Sequence, residues 1–171
     1  DLVVVGIGSS AGGLEALQIL LSKLSNELNC SYIIAQHLSP THRSMMVDLL
    51  SRITNMPVIE VQNGMVIKAK TIYMTPENTD IFISSGKIYL KSIQNTYGPK
   101  PSVNYFFNSL AQAYGSKSIG IILSGTGSDG AFGIRSIKAA GGITIAQSPL
   151  SAKYDGMPVS AINTGKVDIV A

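Results

Sequence analysis

Ser10 stands at the centre of Gly8-Ser9-Ser10-Ala11-Gly12, a G-x-S-x-G pattern that closes an apolar run. A serine on a tight turn between a strand and a helix can attack a carbonyl carbon. Free amides at the amino end of the next helix can steady the oxyanion that forms. Serine is a weak nucleophile at neutral pH, so it needs a base, and the base needs an orienting carboxylate. The chain has two histidines. His37 directly follows the apolar stretch 31–36, which puts it at the same carboxyl edge as Ser10 if both stretches are strands of one parallel sheet. His42, inside "SPTHRS", is expected to face solvent at a helix start. Among the carboxylates, Asp129 in "SGTGSDGAFG" follows an apolar strand and a glycine-rich turn. Asp1 is terminal, Asp48 lies on a helix face, Asp80 near a hairpin, Asp155 in a late loop and Asp168 in the last strand. Asp129 also suits a helix start, where the dipole favours an acid, and the two roles are compatible. Ser10, His37 and Asp129 thus each sit just past a different buried strand, at the edge where open parallel sheets place their sites. The order serine, histidine, acid differs from the serine, acid, histidine of α/β-hydrolases.

The same loop has other readings. Gly6-Ile7-Gly8-Ser9-Ser10-Ala11 fits G-x-G-x-x-A between a strand and a helix, the dinucleotide-binding arrangement. That arrangement calls for an acid at the end of the second strand, where this chain has Gln36 and His37, and no Gly-Lys-Ser/Thr follows to make a phosphate loop. A plain turn is the third reading of Ser10, and Ser9 reads as support for the loop. Two histidines and one cysteine give no metal-ligand pair, so neither a metal nor a cofactor is expected. Met45 and Met46 read as helix packing.

Elements of alternating type must carry these residues. Leu2–Ile7 is an unbroken apolar run suited to a strand covered on both faces. Leu14, Leu17, Leu21 and Leu24 recur at helical spacing. A second strand over 31–36 precedes a helix from Thr41 to Ile53, whose apolar face uses Met45, Leu49, Leu50 and Ile53. Short strands fill the middle, and "IFISSGKIYL" alternates around a turn as a β-hairpin. The segment 95–102 is a loop whose Ser102 can cap a helix reaching Tyr114. "SIGIILSG" is a buried strand, followed by a loop and helix, the strand "ITIAQ", a short helix over 157–163 and the last strand "KVDIV". The expectation is an α/β fold: a doubly wound, mostly parallel sheet with helices on both faces and an added antiparallel β-hairpin, residues 1–171 forming one domain cut from a longer protein.

Composition narrows the class. At 171 residues, 45% hydrophobic and 13% charged, the chain can bury a full core. No apolar run approaches the roughly 20 residues of a membrane-spanning helix, and no secretory leader is read, so no direct membrane insertion is expected. Cys30 stands alone, which excludes an internal disulfide, reads as a small buried hydrophobe, and fits a cytoplasmic location. The net charge of +3 is spread without a basic stripe, which argues against nucleic acid as a partner.

"GIGSSAGGLEAL", "AQHLSPTHRS", "SGTGSDGAFGIRSIKAAGG", "TIAQ" and "GMPVSAI" follow one another in that order. Together they resemble the catalytic domain of the CheB-type chemotaxis receptor methylesterases over nearly the whole chain. The wording is most similar to the branch fused to a CheR-type methyltransferase and sensor modules. The resemblance implies a bacterial two-component signalling enzyme that hydrolyses glutamate γ-methyl esters on chemoreceptors, releasing methanol, and that can deamidate receptor glutamines. It implies Ser10 as nucleophile, His37 as general base and Asp129 as its orienting partner. It also implies methylated cytoplasmic receptor helices as partners, and fused receiver, methyltransferase or sensor domains absent from this chain. Ala11 stands where many members have threonine, and Thr126 where many have methionine. Both changes leave the backbone intact, and the amides of Ala11 and Thr126 are the expected oxyanion hole. A binding module with this fold and little turnover is the competing expectation.

Overall fold

The computed structural model describes residues 1–37, 43–92 and 101–171. Seven strands form one parallel sheet: β1 (Val3–Ser9), β2 (Cys30–Gln36), β3 (Val58–Glu60), β5 (Ile72–Met74), β8 (Ser118–Ile122), β9 (Ile143–Ala146) and β10 (Ile169–Val170). Their order is β10-β9-β8-β1-β2-β5-β3, and every neighbouring pair runs parallel. The chain passes from β1 to β2, goes out to β3 at the edge, comes back to place β5 between β2 and β3, and later lays β8 on the other side of β1. The winding direction reverses between β1 and β8, and open sheets of this kind carry their sites at such a reversal.

The expected hairpin is present and larger than expected. β6 (Thr79–Ser84) and β7 (Lys87–Ser92) pair antiparallel, and β4 (Met65–Val66) adds to β7 as a third strand. Ser85 and Gly86 make the turn, both with positive φ (51° and 73°), the two-residue geometry that matches strand twist.

Helices cover both faces of the large sheet. On one face lie α1 (Gly13–Lys23) and α2 (Arg43–Ser51). Leu17 and Leu21 of α1 and Met46 and Leu50 of α2 pack there with Val5, Ile7, Ile34 and Ile72. Met45, expected in this core, is 65% exposed, and Met46 is buried in its place. One residue of difference turns a helical side chain by about 100°, which is enough to exchange core for solvent. The expected start of this helix at Thr41, and His42, lie outside the described residues. On the other face, α3 (Val103–Tyr114), α4 (Ala131–Ala139) and α5 (Gly156–Ile162) bury Phe106, Phe107, Leu110, Ile134, Ile137 and Met157 against the sheet, joined by Ile81, Ile83 and Ile88 from the small sheet. Cys30, expected to be buried, is half-exposed and free at the start of β2.

Two glycines of β1 set the position of α3. A methyl group on Gly6 would come within 2.8 Å of Leu110, and one on Gly8 within 2.6 Å of Val103. Side chains at either position would push α3 off the strand. Their absence seats the first turn of α3 beside the carboxyl end of β1.

Candidate active site

Ser10 and His37 lie side by side at the carboxyl edge of β1 and β2, and Asp129, in the loop after β8, contacts His37. Ser9 pairs with Gln36 across β1 and β2, so Ser10 and His37 are the next residues outward on neighbouring chains. The His37 amide donates to Ser9 O at 3.1 Å. On the other flank, the Ser10 amide donates to Ser124 O at 2.9 Å, at the exit of β8. Ser10 is half-buried, and its hydroxyl makes no hydrogen bond among the described residues.

The turn differs from the strained serine elbow of α/β-hydrolases. Residues with positive φ include Gly12 (75°) but not Ser10. Gly12 therefore makes the turn into α1 and leaves Ser10 in ordinary backbone. The first amide of α1, Gly13, is already committed to Ser10 O at 2.9 Å. It is therefore not one of the free amides of that helix end.

The His37 ring has a defined environment on one side. Its Nε2 lies 2.9 Å from Pro101 O and 3.2 Å from Asp129 Oδ2. A carbonyl oxygen only accepts, and a carboxylate does the same, so Nε2 carries the proton. The unprotonated nitrogen of the neutral ring is Nδ1. Both the His37 and Asp129 side chains are about 10% exposed.

Asp129 is held by a helix other than the one it precedes. Its Oδ2 accepts from Val103 N at 2.8 Å, and its Oδ1 from Asn104 N at 3.1 Å, the opening amides of α3. Burial raises the Asp129 pKa, but bonds from His37, Val103 N and Asn104 N outweigh burial and hold the carboxyl below the usual carboxylate range. Ser102 caps α3 as expected, accepting from Tyr105 N at 3.2 Å. The expected helix-start role of Asp129 thus holds, but for α3 instead of α4. Asn104 returns the contact: its Oδ1 accepts from Gly130 N and Gly133 N at the start of α4 (3.0 and 2.9 Å).

The amides of Ala11 and Thr126 donate no hydrogen bond among the described residues, and both residues are exposed. Each adjoining peptide plane is fixed through its carbonyl. Ser10 O accepts from Gly13 N and Gln36 Nε2, and Gly125 O accepts from Met157 N at 2.8 Å. Gly125 brings the second loop against the first, since a methyl group on it would lie 2.8 Å from Ser10 Cβ.

Three further residues hold the site and were not singled out from sequence as site residues. Buried Ser124 donates from Oγ to Ala11 O (2.8 Å) and Tyr154 O (3.2 Å), tying the serine loop to the loop before α5. Gln36 bridges Ser9 and Ser10. Asp80 Oδ1 accepts from Ser102 N at 2.7 Å, steadying the segment whose Pro101 O meets His37. Only their polar side-chain types hinted at such bonds, and the partners lie from 22 to 113 residues away in the chain. Ser9, expected to support the loop, is fully buried and donates to Gln36 Oε1. Asp168 is engaged elsewhere, with Lys138 Nζ at 2.5 Å and Thr144 N at 3.0 Å. Among the described residues, no three His, Cys, Asp or Glu side chains gather as a metal cluster, and no helix is long and apolar enough to cross a membrane.

Residues 5–171 match the family model described as CheB methylesterase. A protein-glutamate methylesterase/protein-glutamine glutaminase of Rhizobium meliloti is 34% identical over 168 residues, 98% of this chain and 48% of that protein. The chain thus spans about half the length of this relative. A 104.1 kDa protein of Rhodobacter capsulatus is 41% identical over 123 residues, 72% of this chain and 13% of its own length. The crystal structure of the Thermotoga maritima CheB methylesterase catalytic domain superposes with a TM-score of 0.91 at 28% identity, covering 99% of this chain and 92% of that one.

Proposed function

The chain belongs to the CheB methylesterase family, and from that premise we propose that it hydrolyses glutamate γ-methyl esters on chemoreceptors through Ser10, His37 and Asp129. The observation that carries this reading is the His37 ring, fixed through Nε2 by Asp129 and Pro101 O one strand away from Ser10. That fixation leaves Nδ1 as the base. Nδ1 takes the Ser10 proton as Oγ attacks the ester carbonyl. The amides of Ala11 and Thr126 receive the oxyanion, and Asp129 stabilises the imidazolium. The imidazolium passes its proton to the departing methoxide, which leaves as methanol. Water, deprotonated by Nδ1, then attacks the acyl-serine and frees the glutamate. The same steps with ammonia as leaving group deamidate a receptor glutamine, the second activity in the name of the Rhizobium relative.

The substrates are methylated cytoplasmic helices of chemoreceptors, which makes the working location cytoplasmic. Residues 1–171 act as one catalytic domain beside receiver, methyltransferase or sensor domains. The length of the Rhodobacter protein supports a fused arrangement of that kind.

Methanol release from a methylated chemoreceptor fragment tests the reading. The chain releases methanol and Ser10→Ala does not. Equal release by both would remove Ser10 as nucleophile. Absence of release from folded protein across several receptors would favour a binding module.

A further inference from the structure

We propose that Gln36 is a positioning residue for the oxyanion hole, aiming the Ala11 amide by holding the peptide in front of it. This rests on the reading of Ala11 N as an oxyanion donor. Gln36 ends β2, directly before His37, and is 5% exposed. Its side-chain amide spans two consecutive residues of the serine loop. Oε1 accepts from Ser9 Oγ, and Nε2 donates to Ser10 O at 3.0 Å. The orientation is fixed by chemistry, because Ser10 O can only accept and so must face the NH2 end.

The peptide between Ser10 and Ala11 is planar, and in the trans form its N–H points opposite to its C=O. Holding Ser10 O toward Gln36 therefore turns the Ala11 N–H away from the protein interior, toward the space in front of Ser10. The space for this bridge is built in: a methyl group on Gly13 would lie 2.8 Å from Gln36 Oε1 and 2.7 Å from Ser9 Cβ. Gly13 N supplies the other bond to Ser10 O, so removing Gln36 leaves the turn formed but its peptide plane held from one side only. Backbone donors pre-aimed at a developing oxyanion are worth about 10²–10³-fold in kcat each. Loosening one, without deleting it, costs a part of that.

Gln36→Met keeps the length and removes both hydrogen bonds. The test compares O-(4-nitrophenyl) acetate with its thiono analogue, in which sulfur replaces the carbonyl oxygen and accepts hydrogen bonds poorly. We expect Gln36→Met to lower kcat on the oxo ester by about 10- to 100-fold, a part of a full donor's worth, with KM within about twofold. The thiono ester should lose much less, so the oxo-to-thiono rate ratio falls. A merely structural role, or one acting through His37, would lower both rates together and leave the ratio unchanged, and that result overturns the proposal. Wild-type rates in Gln36→Met overturn it as well. Ser9→Ala, which frees Oε1 but keeps the Nε2 donor, should shift the ratio the same way by a smaller factor and serves if Gln36→Met does not fold. A chain that cleaves the nitrophenyl ester with this ratio change but releases no methanol from receptors would uphold Gln36 and defeat the receptor reading. A chain inert to both substrates defeats both.

Discussion

At the scale of single residues, Asp129 carries two duties at once: it binds the proton-bearing face of His37 and the first amides of α3. Asp129→Asn keeps the shape but not the charge, and its NH2 must face either an amide or the His37 N–H. We expect kcat to fall by about 10⁴-fold, as in the corresponding change to a serine-protease triad. A loss of about 1–3 kcal/mol in stability should accompany it, from amides left short of an acceptor; denaturant unfolding reads this directly. The pH dependence follows from the same contacts. A carboxyl held below its usual range contributes stability above the unfolded value of about 3.9, and that contribution is lost only as pH falls through the lower folded value. Asp129 therefore stays ionised throughout mildly acid conditions. The stability difference between the parent and Asp129→Asn should therefore hold down through pH 5 and shrink only below the usual carboxylate range; denaturant unfolding at stepped pH checks this, and a difference already lost at pH 5 would contradict it. The placement of Ser10, His37 and Asp129 at one edge of the sheet was legible in the sequence because each follows a buried strand. Gln36 and Ser124 were not, because they act through bonds from side chain to distant backbone, Ser124 reaching a carbonyl 113 residues away.

At the scale of elements, the site depends on how closely α3 lies on β1. Gly8→Ala would drive a methyl into both branches of Val103, at 2.6 and 2.8 Å. Overpacking of this kind costs about 1–3 kcal/mol, and here the displaced residue is the one whose amide holds Asp129. We expect kcat to drop more than the melting temperature suggests, and Gly8→Ala with Val103→Ala to recover much of it. A double variant as slow as Gly8→Ala alone would show that α3 does not transmit the effect. The sequence showed α3, its Ser102 cap and the hairpin turn plainly, since each is a local pattern. It did not show that Asp129 caps α3 and not α4, because that contact joins elements 26 residues apart. The misplacement of Met45 has a related cause: adjacent methionines satisfy a helical pattern equally well, and only the sheet beneath α2 selects Met46.

At the scale of the whole molecule, one sheet separates two cores, and β1, β2 and β8 contribute to both. Damage to either core should therefore unfold the same unit. Leu17→Ala on one face, costing about 2–5 kcal/mol, and Phe106→Ala on the other, costing about 3–5 kcal/mol, should each lower a single calorimetric transition. Two separable transitions would contradict a shared fold. The parallel α/β class was legible from the alternation of strands and helices, and strand order was not, because periodicity carries no information on which buried strand lies beside which. β2, β1 and β8 are neighbours, and that order supports the proposal that Ser10, His37 and Asp129 work as one unit. The most direct test is methanol release by Ser10→Ala, His37→Ala and the double variant, each at saturating methylated receptor. Residues that act together lose activity together, so the double variant should be no slower than the slower single one. A double variant slower by the product of the two single losses would mean that Ser10 and His37 act independently, which contradicts a shared catalytic unit.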